Sequence, residues 1–407
     1  MSRLTVACTV VLLLGGSSAS AQDWKAPDPK AEPWRDARLK LGPVFFNPTF
    51  QIRDFGIDDN VFNDPSDPRQ DLTGTLAMES LAGIQIRALL ITVRQSNSYV
   101  WFRKYRSERS VDGGLKATAE LRLDRLRPWV SVERAESHAR GGFEIDARAG
   151  RQLPAFDYGT DIRFGWRLGA SVAYRSQKIE YAEDEVYDFT DLGAVLDNKL
   201  TQIRTYARYE LTPFTNLIGG ADITTERFVT NTLRDADSTY YFGGLESSSD
   251  APLGLNLTLG WKEQRHKDPA VPDFRGLVAR GGIGFVVADT MRITLNGMRD
   301  TGMSYDALYP YYLEEGGGFI TQLRFSEHFD LRFDGRGSWL KYSVTTTGAE
   351  VARTDRTVVA GAEFGYYFGG LSGTRVGLRY EYADRLSPIS KRNYSRSRFY
   401  TDFRLSF

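Results

Sequence analysis

The stretch "QIRTYARYEL", Gln202 to Leu211, sets Ile203, Thr205, Ala207, Tyr209 and Leu211 against Arg204, Tyr206, Arg208 and Glu210. Successive side chains of an extended chain point to opposite faces, so this is a strand with one apolar and one charged face. The same period of two runs through "LNLTLGWK", where Leu255, Leu257, Leu259 and Trp261 alternate with Asn256, Thr258, Gly260 and Lys262. "GLKATAELRLD" (Gly114 to Asp124) and "TRVGLRYEY" (Thr374 to Tyr382) repeat it, and nothing comparable appears at helical spacing.

Working outward, the alternation is interrupted by two kinds of connection. Tight ones fall near Asp124–Arg127, Leu211–Asn216, Asp289–Met291, Ser326–Phe329 and Gly369–Gly373. Longer polar ones fall at Asp58–Asp71, Ala182–Asn198, Thr230–Asp237, Lys267–Phe274, Thr346–Arg353 and Ser387–Ser395. Between them lie about eighteen strands, starting near residues 44, 72, 89, 111, 128, 144, 168, 199, 216, 238, 253, 275, 290, 311, 329, 354, 374 and 396, the sixth being irregular. Short turns alternating with longer loops, and an even strand count, describe an all-β, transmembrane, antiparallel up-and-down β-barrel of the bacterial outer membrane with both termini periplasmic. Trp129, Trp166, Phe214, Phe329, Phe368 and Phe407 lie where strands meet the short turns and are expected to form an interfacial girdle.

Composition bounds the rest. Among 407 residues, 52 basic side chains balance 52 acidic ones without a long run of either sign, so nucleic-acid binding has no electrostatic footprint. A mean hydropathy of −0.38 is compatible with strands that are apolar on one face only. Residues 1–21, "MSRLTVACTVVLLLGGSSASA", carry Arg3, an apolar stretch from Leu4 to Leu14 and Ala19-Ser20-Ala21, which reads as a secretory signal peptide. The one cysteine, Cys8, lies inside it, so the mature chain is expected to hold no disulfide or thiolate metal site. Residues 22–42 read as an irregular periplasmic lead-in and 43–407 as the barrel.

If the apolar set meets lipid, the alternating polar set must line the interior, because an Arg facing lipid at mid-depth costs about 2–4 kcal/mol. The candidate lumen-lining residues are Lys116, Glu120, Arg122, Arg204, Arg208, Glu210, Arg332, Asp334, Arg336, Arg379, Glu381, Asp402 and Arg404. Eighteen strands are too many for side chains to fill the interior as a dry core, which leaves a charged aqueous lumen. No single long constriction loop stands out, and a monomer is favoured on that ground.

Catalysis and metal binding have little to rest on. His138, His266 and His328 are dispersed, and Ser137 and His138, the one Ser–His pair, are neighbours that point to opposite faces of a strand. "DDNVFNDPSDPRQD" (Asp58 to Asp71) could supply oxygens to Ca²⁺, but its spacing is not that of an EF-hand and its residues are those of turns. No cofactor is implied. The closing "YTDFRLSF" is read as the last strand, pairing with the first near Val44 so that no edge remains. Phe403, Leu405 and Phe407 form a terminal pattern similar to the signal read by barrel-assembly machinery.

"LGPVFFNPTFQIRDFGIDDNVFN" (Leu41 to Asn63), "KYRSERS" (Lys104 to Ser110), "RYELTP" (Arg208 to Pro213), "DPAVPDFRGLV" (Asp268 to Val278) and "PYYLEEGGG" (Pro310 to Gly318) resemble an outer-membrane, porin-like β-barrel family associated with bacterial exopolysaccharide loci. The resemblance implies outer-membrane location and involvement in polysaccharide secretion, and it carries over no catalytic residue. Two readings follow. One is a channel passing hydrophilic solutes; the alternative is an exopolysaccharide-export barrel working with periplasmic proteins, for which Trp24 to Lys40 is the docking candidate. A barrel-wall hydrolase and a surface-binding barrel are less favoured.

Overall fold

In the computed structural model, which describes residues 27, 32–35, 37–140, 142–248, 251–342, 352–369 and 374–406, eighteen long strands form one closed antiparallel barrel. The first six are β1 (Val44–Asp58), β2 (Asp71–Ile86), β3 (Leu89–Phe102), β4 (Ser110–Leu121), β5 (Leu126–Ser137) and β6 (Ala155–Arg163). Next come β7 (Leu168–Tyr181), β8 (Asn198–Thr212), β9 (Thr215–Phe228), β10 (Ala236–Ser247), β11 (Leu253–His266) and β12 (Phe274–Val287). The last six are β13 (Met291–Met303), β14 (Tyr311–Arg324), β15 (Phe329–Tyr342), β16 (Arg353–Phe368), β17 (Thr374–Leu386) and β18 (Tyr394–Ser406). Each pairs with its chain neighbours, and β18 pairs with β1 through Phe50↔Leu405 and Ile52↔Phe403. Phe407 lies outside the described residues.

Connections of two to five residues occupy one end, with both barrel termini, and connections of seven to seventeen occupy the other. The sixth strand begins at Ala155, not near 144. The misplacement has a physical origin: "FEIDARAG" alternates apolar Phe143, Ile145, Ala147 and Ala149 with Glu144, Asp146 and Arg148. That pattern imitates a strand, yet Glu144, Ile145 and Ala149 are all buried, so both faces of the segment are covered by protein.

The outer face is a continuous apolar belt. Ile203, Leu217, Ile223, Leu259, Leu277, Phe319, Phe333 and Leu378 are exposed there, while their in-between neighbours turn inward. Replacing Leu259, in the middle of β11, with Arg is expected to cost about 2–4 kcal/mol, whereas Thr258→Arg, one residue away on the inner face, costs far less. Denaturant midpoints of the barrel refolded in lipid vesicles measure the difference, and equal midpoints would refute the inside–outside assignment. At the short-turn end Trp166, Phe214 and Phe368 are exposed. There Phe325 stacks on Phe329 at 5.8 Å, and Tyr366 meets Phe368 edge-on at 4.7 Å. Trp129 departs from the expected girdle. It occupies an inward position on β5 and is 5% exposed, packed against Ala173.

The lead-in also turns inward. Leu39–Leu41 folds back on Val44–Phe46 through Gly42, whose φ of 58° suits a residue without a Cβ. Trp34 and Ala37 pack on the inward-facing Phe45 and Leu90, and the Arg122 guanidinium lies 5.0 Å from the Trp34 ring. The described part of this segment therefore covers the inner wall at the short-turn mouth. Residues 1–21 lie outside the described residues, as does Trp24.

Candidate functional site

The inner wall is built by the odd–even logic of the strands, and its charges are joined into networks. Arg204 on β8 forms a two-point pair with Asp222 on β9, both distances being 2.7 Å. Arg280 on β12 reaches Asp222 at 4.0 Å and bonds closely to Asp300 on β13, which also accepts from Lys262 Nζ at 2.9 Å. Five charges from five strands thus share one patch. Arg208 pairs with Asp161 at 3.1 Å. Lys116 lies 3.2 Å from Glu133 and 3.7 Å from Asp157.

A second network spans β15 to β18 and the seam. Arg379 holds Asp334 at 2.5 and 2.8 Å and reaches Glu381 at 3.1 Å, and Arg332 lies 3.5 Å from Asp334. Arg375 joins Asp330 and Glu363, and Arg398 joins Asp54 and Glu381. A one-residue bulge in β1 between Ile52 and Phe55, with Asp54 at φ 55°, lets the Asp54 amide donate to Asp402 at 2.7 Å. Arg122 pairs with buried Glu120 at 2.9 Å. Glu210 has its amide bonded to Arg167 O at the short-turn end, and Arg404 is solvent-exposed near the same end. Planar guanidinium–carboxylate pairing explains why Arg dominates this wall: it fixes geometry as well as charge.

The feature that the sequence reading missed is the segment 138–154 between β5 and β6, which crosses the interior. The expectation of no constriction loop is therefore corrected. The Glu144 carboxylate accepts from the Ser304 hydroxyl at 2.5 Å, the Tyr342 hydroxyl at 3.0 Å and the Tyr305 amide at 3.3 Å. Those partners sit between and beside β13 and β15, about halfway round an eighteen-strand ring from β5. Asp146 pairs with Arg385 of β17 at 2.5 Å, and Arg392 donates to Glu144 O at 2.7 Å. Arg336, an inner-wall candidate, places its guanidinium 5.2 Å from the Phe143 ring. Ile145 and Ala149 pack with Leu192 and Leu196 of the short helix α1 (Leu192–Leu196), and with Phe228 and Tyr305. One buried carboxylate anchors the far side: Asp355 takes contacts from Arg353, Arg385 and Arg392 at 2.7, 3.4 and 3.1 Å.

Glu144 belongs to this crossing segment, outside the spanning strands. Burial raises its pKa above the ordinary carboxylate value of 4.5, against the opposing effects of the Ser304 bond, the Arg392 charge and Tyr342. A raised folded-state pKa favours the protonated form, so the seating of the segment is fully favoured below the ordinary value and weakens as pH rises through the higher folded one. The barrel's conductance is therefore expected to rise with pH across that window, and Glu144→Gln, neutral throughout, to flatten the dependence. Conductance recorded over a pH series is the check; a Glu144→Gln variant with an unchanged profile would contradict it.

Beneath the crossing segment lies a cavity of ≈ 1020 Å³, counted with the space open to solvent, bounded by Glu144 and Ile145 above and by inward residues of β7 to β14. The oxygen-rich loop after β1 is occupied by its own structure. Asp58 is paired with Arg396, Asp64 accepts from the Ser66 and Asp67 amides, and Asp71 accepts from those of Lys104 and Tyr105. His138 Nδ1 is 2.8 Å from Asp112, while Ser137 Oγ accepts from the Ala139 amide.

No protein-family model and no curated protein matches the chain. Among solved structures it is similar to Acinetobacter baumannii OccAB3, with a TM-score of 0.51 and 11% identity over 89% of this chain and 99% of that one. Pseudomonas aeruginosa OccK2 (OpdF) is also similar, at a TM-score of 0.51 and 10% identity, over 89% of this chain and 98% of that one. The chain shares the closed antiparallel β-barrel fold of these proteins. At such identities the likeness is one of architecture, and the wall described above is this chain's own.

Proposed function

We propose that the protein is an outer-membrane channel that passes hydrophilic solutes through a charged, constricted lumen, with the short turns and both barrel termini on the periplasmic side. The observation that carries the reading is a closed eighteen-strand wall, apolar outside and ion-paired inside, whose interior is narrowed by residues 138–154. Such a wall supplies water and fixed charges of both signs. The candidate inner-wall residues named from the sequence are proposed to line the solute path. Residues 1–21 would direct export, and Phe403 and Leu405 would belong to the strand recognised during assembly. The export alternative needs an unobstructed lumen and a free periplasmic docking segment. The crossing segment, and the packing of Trp34 and Ala37 onto the inner wall, count against it.

Planar-bilayer recording of the purified protein is the test. Discrete conductance steps, together with recovery in outer-membrane fractions and heat-altered migration in detergent gels, are the expected result. A silent barrel at all voltages would overturn the channel reading. A soluble periplasmic monomer would overturn the location. Antibody access in intact cells to an epitope inserted after Val229, exposed on the long-loop end, reports the orientation.

A further inference from the structure

The cavity below residues 144 and 145 has a composition that selects among solutes. Its charged lining residues are Arg151, Lys262 and Arg280 against Glu144, Asp222 and Glu226, three of each sign. Lys262 and Arg280 already hold Asp300, and Arg280 also approaches Asp222. An anion would have to break these contacts to gain either of those two cations, and the third, Arg151, is bonded to Tyr181. Three unpartnered polar atoms remain in the lining: Arg151 Nε is a buried donor without an acceptor among the described residues, and Gln202 Oε1 and Asn198 Oδ1 are buried and accept no hydrogen bond from them, a mixed set that a hydroxyl, both donor and acceptor, can satisfy. Gln202 is 2% exposed and Asn198 7%, and both line the cavity. A buried acceptor without a donor is a standing cost that an incoming O–H or N–H removes and a carboxylate oxygen does not. The two residues are four apart on the inner face of β8, roughly 13 Å along a strand rising about 3.3 Å per residue.

From this we infer that the cavity is a binding subsite for a neutral, hydroxyl-rich solute of disaccharide length, with Gln202 and Asn198 accepting from its hydroxyls. The inference rests on the channel reading for its role in transport, though not for binding itself. A site whose acceptors are satisfied by hydroxyls discriminates against solutes that lack them.

Maltose and its carboxylate counterpart maltobionate, matched in size, are the probes. Each is titrated into single-channel recordings and, separately, into the folded detergent-solubilised barrel by calorimetry. Maltose is expected to block and bind, and maltobionate to do so about tenfold less tightly. Gln202→Leu with Asn198→Leu is expected to weaken maltose at least about tenfold while leaving KCl conductance and heat-altered gel migration as in the parent, since the amide oxygens it removes accept no hydrogen bond from the described residues. Tighter block by maltobionate, or undiminished maltose binding in the double variant, overturns the subsite. Conductance with no effect or binding of maltose overturns the subsite and leaves the channel standing. Maltose binding that the double variant loses, in a barrel that never conducts, supports the subsite and overturns the channel.

Discussion

Excising residues 139–150 and joining the flanks through a short glycine–serine link raises the unit conductance on the order of threefold, because an eighteen-strand barrel without an inserted segment leaves a wide aqueous bore. The expectation follows from where the segment goes. Glu144 bonds to Ser304, Tyr305 and Tyr342 on the opposite side, Asp146 bonds to Arg385, and Phe143 meets Arg336. The barrel itself should survive, since β5 and β6 pair directly over Leu126–Glu133 and Ala155–Ile162. A milder variant, Glu144→Ala with Asp146→Ala, keeps the backbone but removes the anchoring carboxylates. It is expected to give noisy conductance between the two extremes, as the segment leaves and re-enters the bore. An excised barrel that conducts like the parent would show that residues 138–154 do not limit flow.

Substituting Asp300 with Ala has the largest expected effect on stability. Its side chain is fully buried and bonds to Arg280 and Lys262, with its Oδ1 also accepting from the Thr301 amide at 2.7 Å. Removing one member of such a group leaves uncompensated buried charge, for which about 3–5 kcal/mol is usual. The loss should appear as a lowered unfolding temperature of the heat-modifiable band. The same change leaves the cavity wall with excess positive charge, so the reversal potential in a KCl gradient should move toward anion preference. Asp300→Asn, which keeps shape and one acceptor, should retain more stability while moving the selectivity the same way. A variant of parental stability and selectivity would mean that Arg280 and Lys262 are satisfied elsewhere.

The strand plan was readable from the sequence because lipid enforces it. Each residue of β11 from Leu255 to Trp261 must face either hydrocarbon or water, and the alternation records that choice locally. The same logic put Arg204, Arg208, Arg379 and Lys116 on the polar face and gave the seam between β18 and β1. Trp129 escaped because one strand supplies both faces, and an aromatic near a turn suits either the girdle or the interior. The crossing segment escaped for a deeper reason. Its partners are remote, Arg392 lying 248 residues from Glu144 and Ser304 160 residues away, and nothing in "FEIDARAG" announces them. A segment covered on both sides obeys no inside–outside rule, so its alternation had no single meaning. Asp222 and Asp300 were not singled out, because their role depends on strand register, which sets Arg204 opposite Asp222 and brings Arg280 and Lys262 to Asp300.

The tie from β5 through Glu144 and Asp146 to the opposite strands also has a mechanical consequence. A hollow ring resists uniform squeezing well and ovalisation poorly, since flattening needs only small changes of angle between neighbouring strands. A chord fixed at both ends opposes that soft mode along its own direction. Here the chord is made of hydrogen bonds and ion pairs, so it yields at a finite load. Lateral pressure from the surrounding bilayer then acts on the same contacts that hold the bore narrow, and bilayer thickness and stiffness become variables of its width.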